Sequence, residues 1–152
     1  MPEQISENIS WKEATFSITA INKGIDNTPS EDVIKNMKLV AEKIFEPCRK
    51  HFGLPIKINS FYRSEGLNKA VGGSKTSDHC KGMAIDIEIT GKYNNSELFK
   101  YIKENLPFKQ LIWEFGDKTT PSWVHASYDK LNLKKEVLYA VKQKGKTVYL
   151  PL

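Results

Sequence analysis

The stretch Thr76-Ser77-Asp78-His79-Cys80-Lys81-Gly82-Met83-Ala84-Ile85-Asp86-Ile87-Glu88-Ile89 runs from a polar turn into an alternating apolar segment. Strict alternation predicts a strand over Met83–Ile89, with Met83, Ile85, Ile87 and Ile89 on one face and Ala84, Asp86 and Glu88 on the other. An aspartate is disfavoured inside a strand. Burying it is costly unless a partner compensates the charge. Asp86 therefore faces either water or a partner, and His79 at the head of the strand is the nearest candidate.

A metal ion would supply such a partner. Catalytic zinc sites take three protein ligands from His, Asp, Glu or Cys and keep one position open. The chain has three histidines, His51, His79 and His125. His51 ends a long helical segment beside Arg49 and Lys50 and reads as a surface residue. His125 lies in Trp123-Val-His-Ala-Ser-Tyr128, where alternation puts Trp123, His125 and Ser127 on one face. If that strand neighbours the Asp86 strand, His79, Asp86 and His125 converge on one ion.

The rest of the chain supplies a frame for this cluster. Ser30 caps a helix whose apolar stripe is Val33, Met37, Val40, Ile44 and Cys48, widened by Ile34, Ala41 and Phe45. Glu31 and Asp32 suit its N-terminal dipole. Pro47 is expected to kink it, and Gly53 and Pro55 to end it. Ile56–Ser60 reads as a short strand. Ser96 or Asn95 is expected to cap a helix carrying Leu98, Phe99 and Ile102. Gln110–Glu114 and Trp123–Tyr128 read as an antiparallel hairpin with a long loop. Helices in the first half and strands in the second predict an α+β fold.

Composition bounds the function classes. A chain of 152 residues with 39% hydrophobic and 27% charged residues suits a single domain with one core, residues 1–152. No apolar run is long enough for a membrane span, and the first residues lack the pattern of a signal peptide. A net charge of +5 and a pI near 9.1 favour a polyanionic setting such as nucleic acid or an anionic cell wall. The densest basic run, Leu131–Lys146, has no nucleic-acid motif and reads as a solvated face. The two cysteines, Cys48 and Cys80, make no disulfide framework and read as free thiols, which fits synthesis in a reducing cytosol.

Ser77-Asp-His79-Cys-Lys-Gly82-Met-Ala84-Ile-Asp86 resembles the S-x-H-x-x-G-x-A-x-D motif of zinc D-Ala-D-Ala peptidases of the M15 group, and Trp123-Val-His125 resembles that group's W-x-H. Upstream, the segment from Ile58 through Arg63, Asn68 and Gly72-Gly73-Ser74 is similar to the S-G-Y-R-S…L-N…V-G-G-S segment of the phage- and prophage-associated, endolysin-like branch. Gly24–Pro29, with Asn27, and Leu111–Glu114 also resemble that branch. The likeness spans about residues 10–128, with 129–152 as a C-terminal extension. It implies a hedgehog/DD-peptidase-like fold, a small antiparallel sheet with helices packed on it, and a Zn2+ cofactor held by His79, Asp86 and His125.

The resemblance also implies roles for other residues. Arg63 matches an arginine that faces the scissile carbonyl or its developing oxyanion, where a fixed cation stabilises growing charge. Ser77 matches a serine that hydrogen-bonds substrate, although it also reads as a turn residue. Gly82 allows a tight turn after the first ligand, Ala84 keeps the metal face uncrowded, and Cys80 is incidental. The general base is where the chain departs from some relatives. Their E-x-W-H arrangement would put a glutamate at position 122, which here is Ser122. Glu114 is the first alternative, Asp117 the second, and Glu88 a weaker third.

These features imply a zinc metallopeptidase directed at peptidoglycan stem peptides, cutting a terminal D-Ala-D-Ala, an L-Ala-D-Glu link or a cross-bridge. The alternative is a virion or wall-binding module of the same fold with little catalysis. The expected partner is the wall peptide, not nucleic acid, and the expected state is a monomer. Such a protein is made in the cytoplasm and reaches the wall by holin-type release or within a virion.

Overall fold

The computed structural model describes residues 3–152. Its first elements are a two-stranded ribbon, β1 (Gln4–Ser6) and β2 (Ile9–Ser10), and two short helices, α1 (Trp11–Thr15) and α2 (Ile18–Lys23). A six-stranded sheet forms the centre. It is built from β3 (Ile56–Ser60), β4 (Ala84–Ile89), β5 (Gln110–Glu114), β6 (Trp123–Ser127), β7 (Glu136–Gln143) and β8 (Lys146–Pro151), in the order β3-β4-β6-β5-β7-β8. The fold is α+β, as the sequence predicts. The large sheet is mixed, because β7 runs parallel to β5 while all other neighbours are antiparallel.

The alternation in β4 sorts the two faces of this sheet. Ile85, Ile87 and Ile89 join Val124 and Ala126 of β6 and Leu111 of β5 in the core. That face packs against α3 (Glu31–Val40) and, later in the chain than the short α5 (Glu65–Ala70), α6 (Asn95–Asn105); the two contribute Met37, Val40, Leu98 and Ile102. Each of these fully buried aliphatic side chains stabilises the fold by about 1.5–3 kcal/mol relative to exposure. The opposite face carries Ala84, Asp86 and Glu88 of β4, Trp123 and His125 of β6, and Ile112 and Glu114 of β5, as the cross-strand pairs require.

The helix that starts at the Ser30 cap continues through a π-helical turn at Ala41–Phe45 into α4 (Glu46–Phe52), where Gly53 in the left-handed region ends it. The irregularity lies just ahead of Pro47. A proline has no N–H to donate and its ring collides with the carbonyl four residues back. The widened turn, in which the Glu46 N–H reaches the Ala41 carbonyl, absorbs that conflict without breaking the helix. α6 is capped by Asn94 in a reciprocal capping box with Glu97, not by Asn95 or Ser96. Asn95 is used elsewhere: its side chain accepts from the Ile89 N–H and donates to the Pro121 and Ser122 carbonyls. It thereby ties the end of β4 to the loop entering β6.

Residues 129–152 add β7 and β8 to the sheet beyond β5. No helix among the described residues is long and apolar enough to cross a membrane. Cys48 is buried, Cys80 is half-buried, and both are free.

Candidate metal centre

Asp86 and His125 are direct cross-strand partners on β4 and β6. Antiparallel pairing holds two such side chains about 4.5–5.5 Å apart at Cβ, so their contact follows from register alone. His125 Nδ1 donates to Asp86 Oδ1 at 2.8 Å. His79 comes from a different element, a 3-10 turn at Asp78–Lys81 that feeds into β4. Its Nε2 lies 3.2 Å from Asp86 Oδ2. The two imidazole rings meet edge to face, with centroids 5.2 Å apart.

The turn that carries His79 is fixed on all sides. Ser77 caps it by accepting from the His79 N–H. Gly82 closes it at φ +69°, where a Cβ would lie 2.7 Å from both the Val33 carbonyl and Met37 Cγ of α3. Only glycine combines that dihedral with that proximity. Asp78 accepts from Lys109 Nζ at 3.0 and 3.1 Å, which clamps the turn to the start of β5. His79 itself is 2% exposed, and its Nδ1 donates to the Phe61 carbonyl at 2.7 Å.

That last hydrogen bond makes the donor set suit a metal ion. With the proton on Nδ1, neutral His79 turns the lone pair of Nε2 toward a carboxylate oxygen. Two acceptors then face each other at 3.2 Å, an arrangement that calls for a cation or a proton between them. One ligand atom from each of His79, Asp86 and His125 lies within 4.8 Å of the others. Two imidazoles and one carboxylate match the ligand chemistry of an open zinc site. The Phe61 carbonyl is the kind of outer partner that orients a ligating histidine.

Electrostatics follow from this packing. Burial alone would raise the Asp86 carboxyl, but with a proton between it and His79 the charge and hydrogen bond of that imidazole, together with the hydrogen bond from His125, outweigh burial and hold the group far below the usual carboxylate range. Burial lowers His125, while the hydrogen bond and charge of Asp86, with Glu114 and Asp78 behind it, raise it above its ordinary value.

Glu114 pairs with Trp123 across β5 and β6, one strand step from His125. It is 7% exposed, and burial pushes its carboxyl up to about 7. His125 and Arg63 pull it down and Asp86 adds to the rise, so the charges of all three reach it. Asp117 is different. Its carboxylate accepts from the Thr119 and Thr120 N–H groups in the exposed loop, which lowers its pKa and occupies it as a turn residue. Glu88 points to the same face as Asp86 but accepts from Asn59 at 3.0 Å.

Arg63 follows β3. Its Nη2 donates to Ser77 Oγ at 3.4 Å, and its backbone N–H bonds to the His79 carbonyl. Its Nε is buried with no partner. Ser77 thus serves both the turn and Arg63. Asn27 holds this segment in place: it donates to the Thr15 and Tyr62 carbonyls and accepts from the Ser64 N–H. Cys80 is outside the donor cluster. His51 stacks on Tyr101 at 4.0 Å, at the end of α4.

The clamp between Asp78 and Lys109 is a feature that sequence reading missed. Asp78 lies within the motif, but nothing in the sequence marks Lys109 as its partner. Asn27 stands out in the sequence only by its place in a family-like stretch.

The family model described as Peptidase M15 matches residues 7–127. No curated protein matches the chain.

Proposed function

Because the chain belongs to the peptidase M15 family, we propose that it is a zinc-dependent peptidase that hydrolyses peptide bonds in bacterial peptidoglycan stem peptides, of the endolysin-like kind. In this reading the whole chain, residues 1–152, works as one domain. The observation that carries it is the meeting of His79, Asp86 and His125 on one sheet face beside a buried glutamate with a raised pKa.

His79, Asp86 and His125 would hold the zinc ion. Bound zinc would act as a Lewis acid toward the scissile carbonyl and make water nucleophilic at neutral pH. Glu114 takes the proton of the attacking water and returns it to the leaving amine. Burial raises this carboxyl in the metal-free protein, and a cation held nearby would draw it back toward the charged form that accepts a proton. Arg63 stabilises the negative charge that develops on the carbonyl oxygen. Ser77 holds Arg63 in place and adds a hydroxyl to the substrate side of the turn.

The test is incubation of purified sacculi with zinc-loaded protein, followed by mass spectrometry of the released material. Peptide products with new termini are expected, and their masses identify the bond cut. Chelation should stop their release. Binding to sacculi without any zinc-dependent product would overturn the peptidase reading in favour of a wall-binding module.

A further inference from the structure

The sheet continues past the residues that match the family, and its last strands bring a tyrosine to the site face. β7 and β8 lie wholly beyond residue 127. Glu114 pairs with Ala140 on β7, and Ala140 pairs with Tyr149 on β8. The three side chains therefore stand in a row on one face across three strands. Two strand spacings, about 10 Å, separate Glu114 from Tyr149 at the backbone. The position between them holds only the methyl group of Ala140, which is fully buried. A tyrosine is long enough to lean back across a single alanine.

Further observations set Tyr149 apart from an ordinary surface tyrosine. The charges of Glu114, Asp86 and Arg63 all reach its phenol. Burial, then the Glu114 and Asp86 carboxylates, push its pKa up, so the group stays a protonated donor. The residue nevertheless remains 52% exposed, so one side is open to a ligand. A tyrosine with an apolar body against the protein and a free hydroxyl is well suited to grip a bound chain.

We propose that Tyr149 is a substrate-binding residue whose hydroxyl donates a hydrogen bond to a carbonyl or carboxylate of the peptide lying over Glu114. The C-terminal hairpin then forms the wall of the cleft on the Glu114 side, facing Arg63 and the His79 turn across the metal ligands. This inference rests on the peptidase reading above.

The experiment compares wild type with Tyr149→Phe, using a soluble stem pentapeptide that contains both the L-Ala-D-Glu and the D-Ala-D-Ala bonds. KM and kcat are measured with zinc, and binding to the metal-free protein by titration calorimetry. Loss of one hydrogen bond should raise KM about tenfold and weaken metal-free binding by a similar factor. The kcat should stay within a factor of about two, as expected for loss of uniform binding. The melting temperature should not change. Unchanged KM and unchanged binding would overturn the role of Tyr149 and leave the peptidase reading standing. A wild-type protein that neither binds the peptide nor cleaves it or sacculi would overturn both.

Discussion

Asp86 and His125 face each other directly across β4 and β6, and each oxygen of the Asp86 carboxylate is met by a different imidazole. The proposed ligand set is thus one strand pair plus one turn, so its parts can be removed separately. His79→Ala and His125→Ala should each lose the single zinc that wild type is expected to carry, measured by elemental analysis after gel filtration. Full occupancy in both variants would sink the ligand assignment.

Zinc that binds only the native state should also raise the melting temperature, by a roughly constant step for each tenfold increase in its free concentration above Kd. Asp86→Asn should abolish that response, because it leaves two imidazoles without the anionic ligand. A melting curve that rises equally with zinc in Asp86→Asn and in wild type would contradict the site.

Glu114 gives a prediction about pH. Its unfolded carboxyl titrates near 4.5, whereas the folded one holds its proton to about 7. Between these values the native state binds more protons than the unfolded state, so stability falls as pH rises through that window. The shift corresponds to about 3 kcal/mol. Metal-free Glu114→Gln has no charge to bury, so it should be more stable than metal-free wild type at pH 8 by up to about that amount. The gap should close toward pH 4. A gap independent of pH would remove the buried-charge account.

The same variant should keep zinc and the fold while losing about 10²–10⁴-fold in hydrolysis, the usual worth of a general acid–base group. Asp117→Asn should change the rate little, since its carboxylate is engaged by two loop N–H groups. The reverse ranking of the two variants in a peptide-release assay would reassign the base.

Arg63→Ala should retain zinc and lose on the order of a hundredfold or more in rate, as removal of an oxyanion donor does. Lysine should not restore it, because a point charge cannot reproduce the forked contact to Ser77 and substrate. Undiminished turnover in Arg63→Ala would remove Arg63 from the catalytic machinery.

Gly82→Ala should destabilise the fold by about 1–3 kcal/mol, the cost of a left-handed non-glycine residue, and by more if α3 cannot yield. The Val33 carbonyl is backbone and cannot swing aside. The displaced turn would carry His79 with it, so zinc affinity should fall together with stability in denaturant titrations. A stable variant with weakened zinc binding would place the strain in the ligand turn alone.

The alternation of Ile85, Ile87 and Ile89 and the apolar stripe from Val33 to Cys48 made the core faces of β4 and α3 legible in the sequence. The Asp86–His125 contact was legible only on the condition that their strands are neighbours, which no local pattern can establish. The cap at Asn94 was obscured because Asn94, Asn95 and Ser96 all have capping side chains, and the capping box with Glu97 decided among them. The C-terminal strands were hidden for two reasons. Val137–Val141 is a continuous apolar run without a period, and its flanks are rich in lysine. Its hairpin turns at Lys144-Gly145, both at positive φ, where Asn-Gly or Asp-Gly would have been the recognisable signal.

The parallel pairing of β7 with β5 also matters while the chain is being made. Once β6 has paired, β5 presents a row of free N–H and C=O groups on its far side until residues 136–143 arrive. An uncovered strand of that kind is a template for pairing with another molecule. Ribosomes that have released only the family-matching portion would therefore hold a nascent sheet with an adhesive flank. The terminal hairpin acts as its cover, and its own last strand, β8, exposes lysine and ends in proline, features that discourage further stacking.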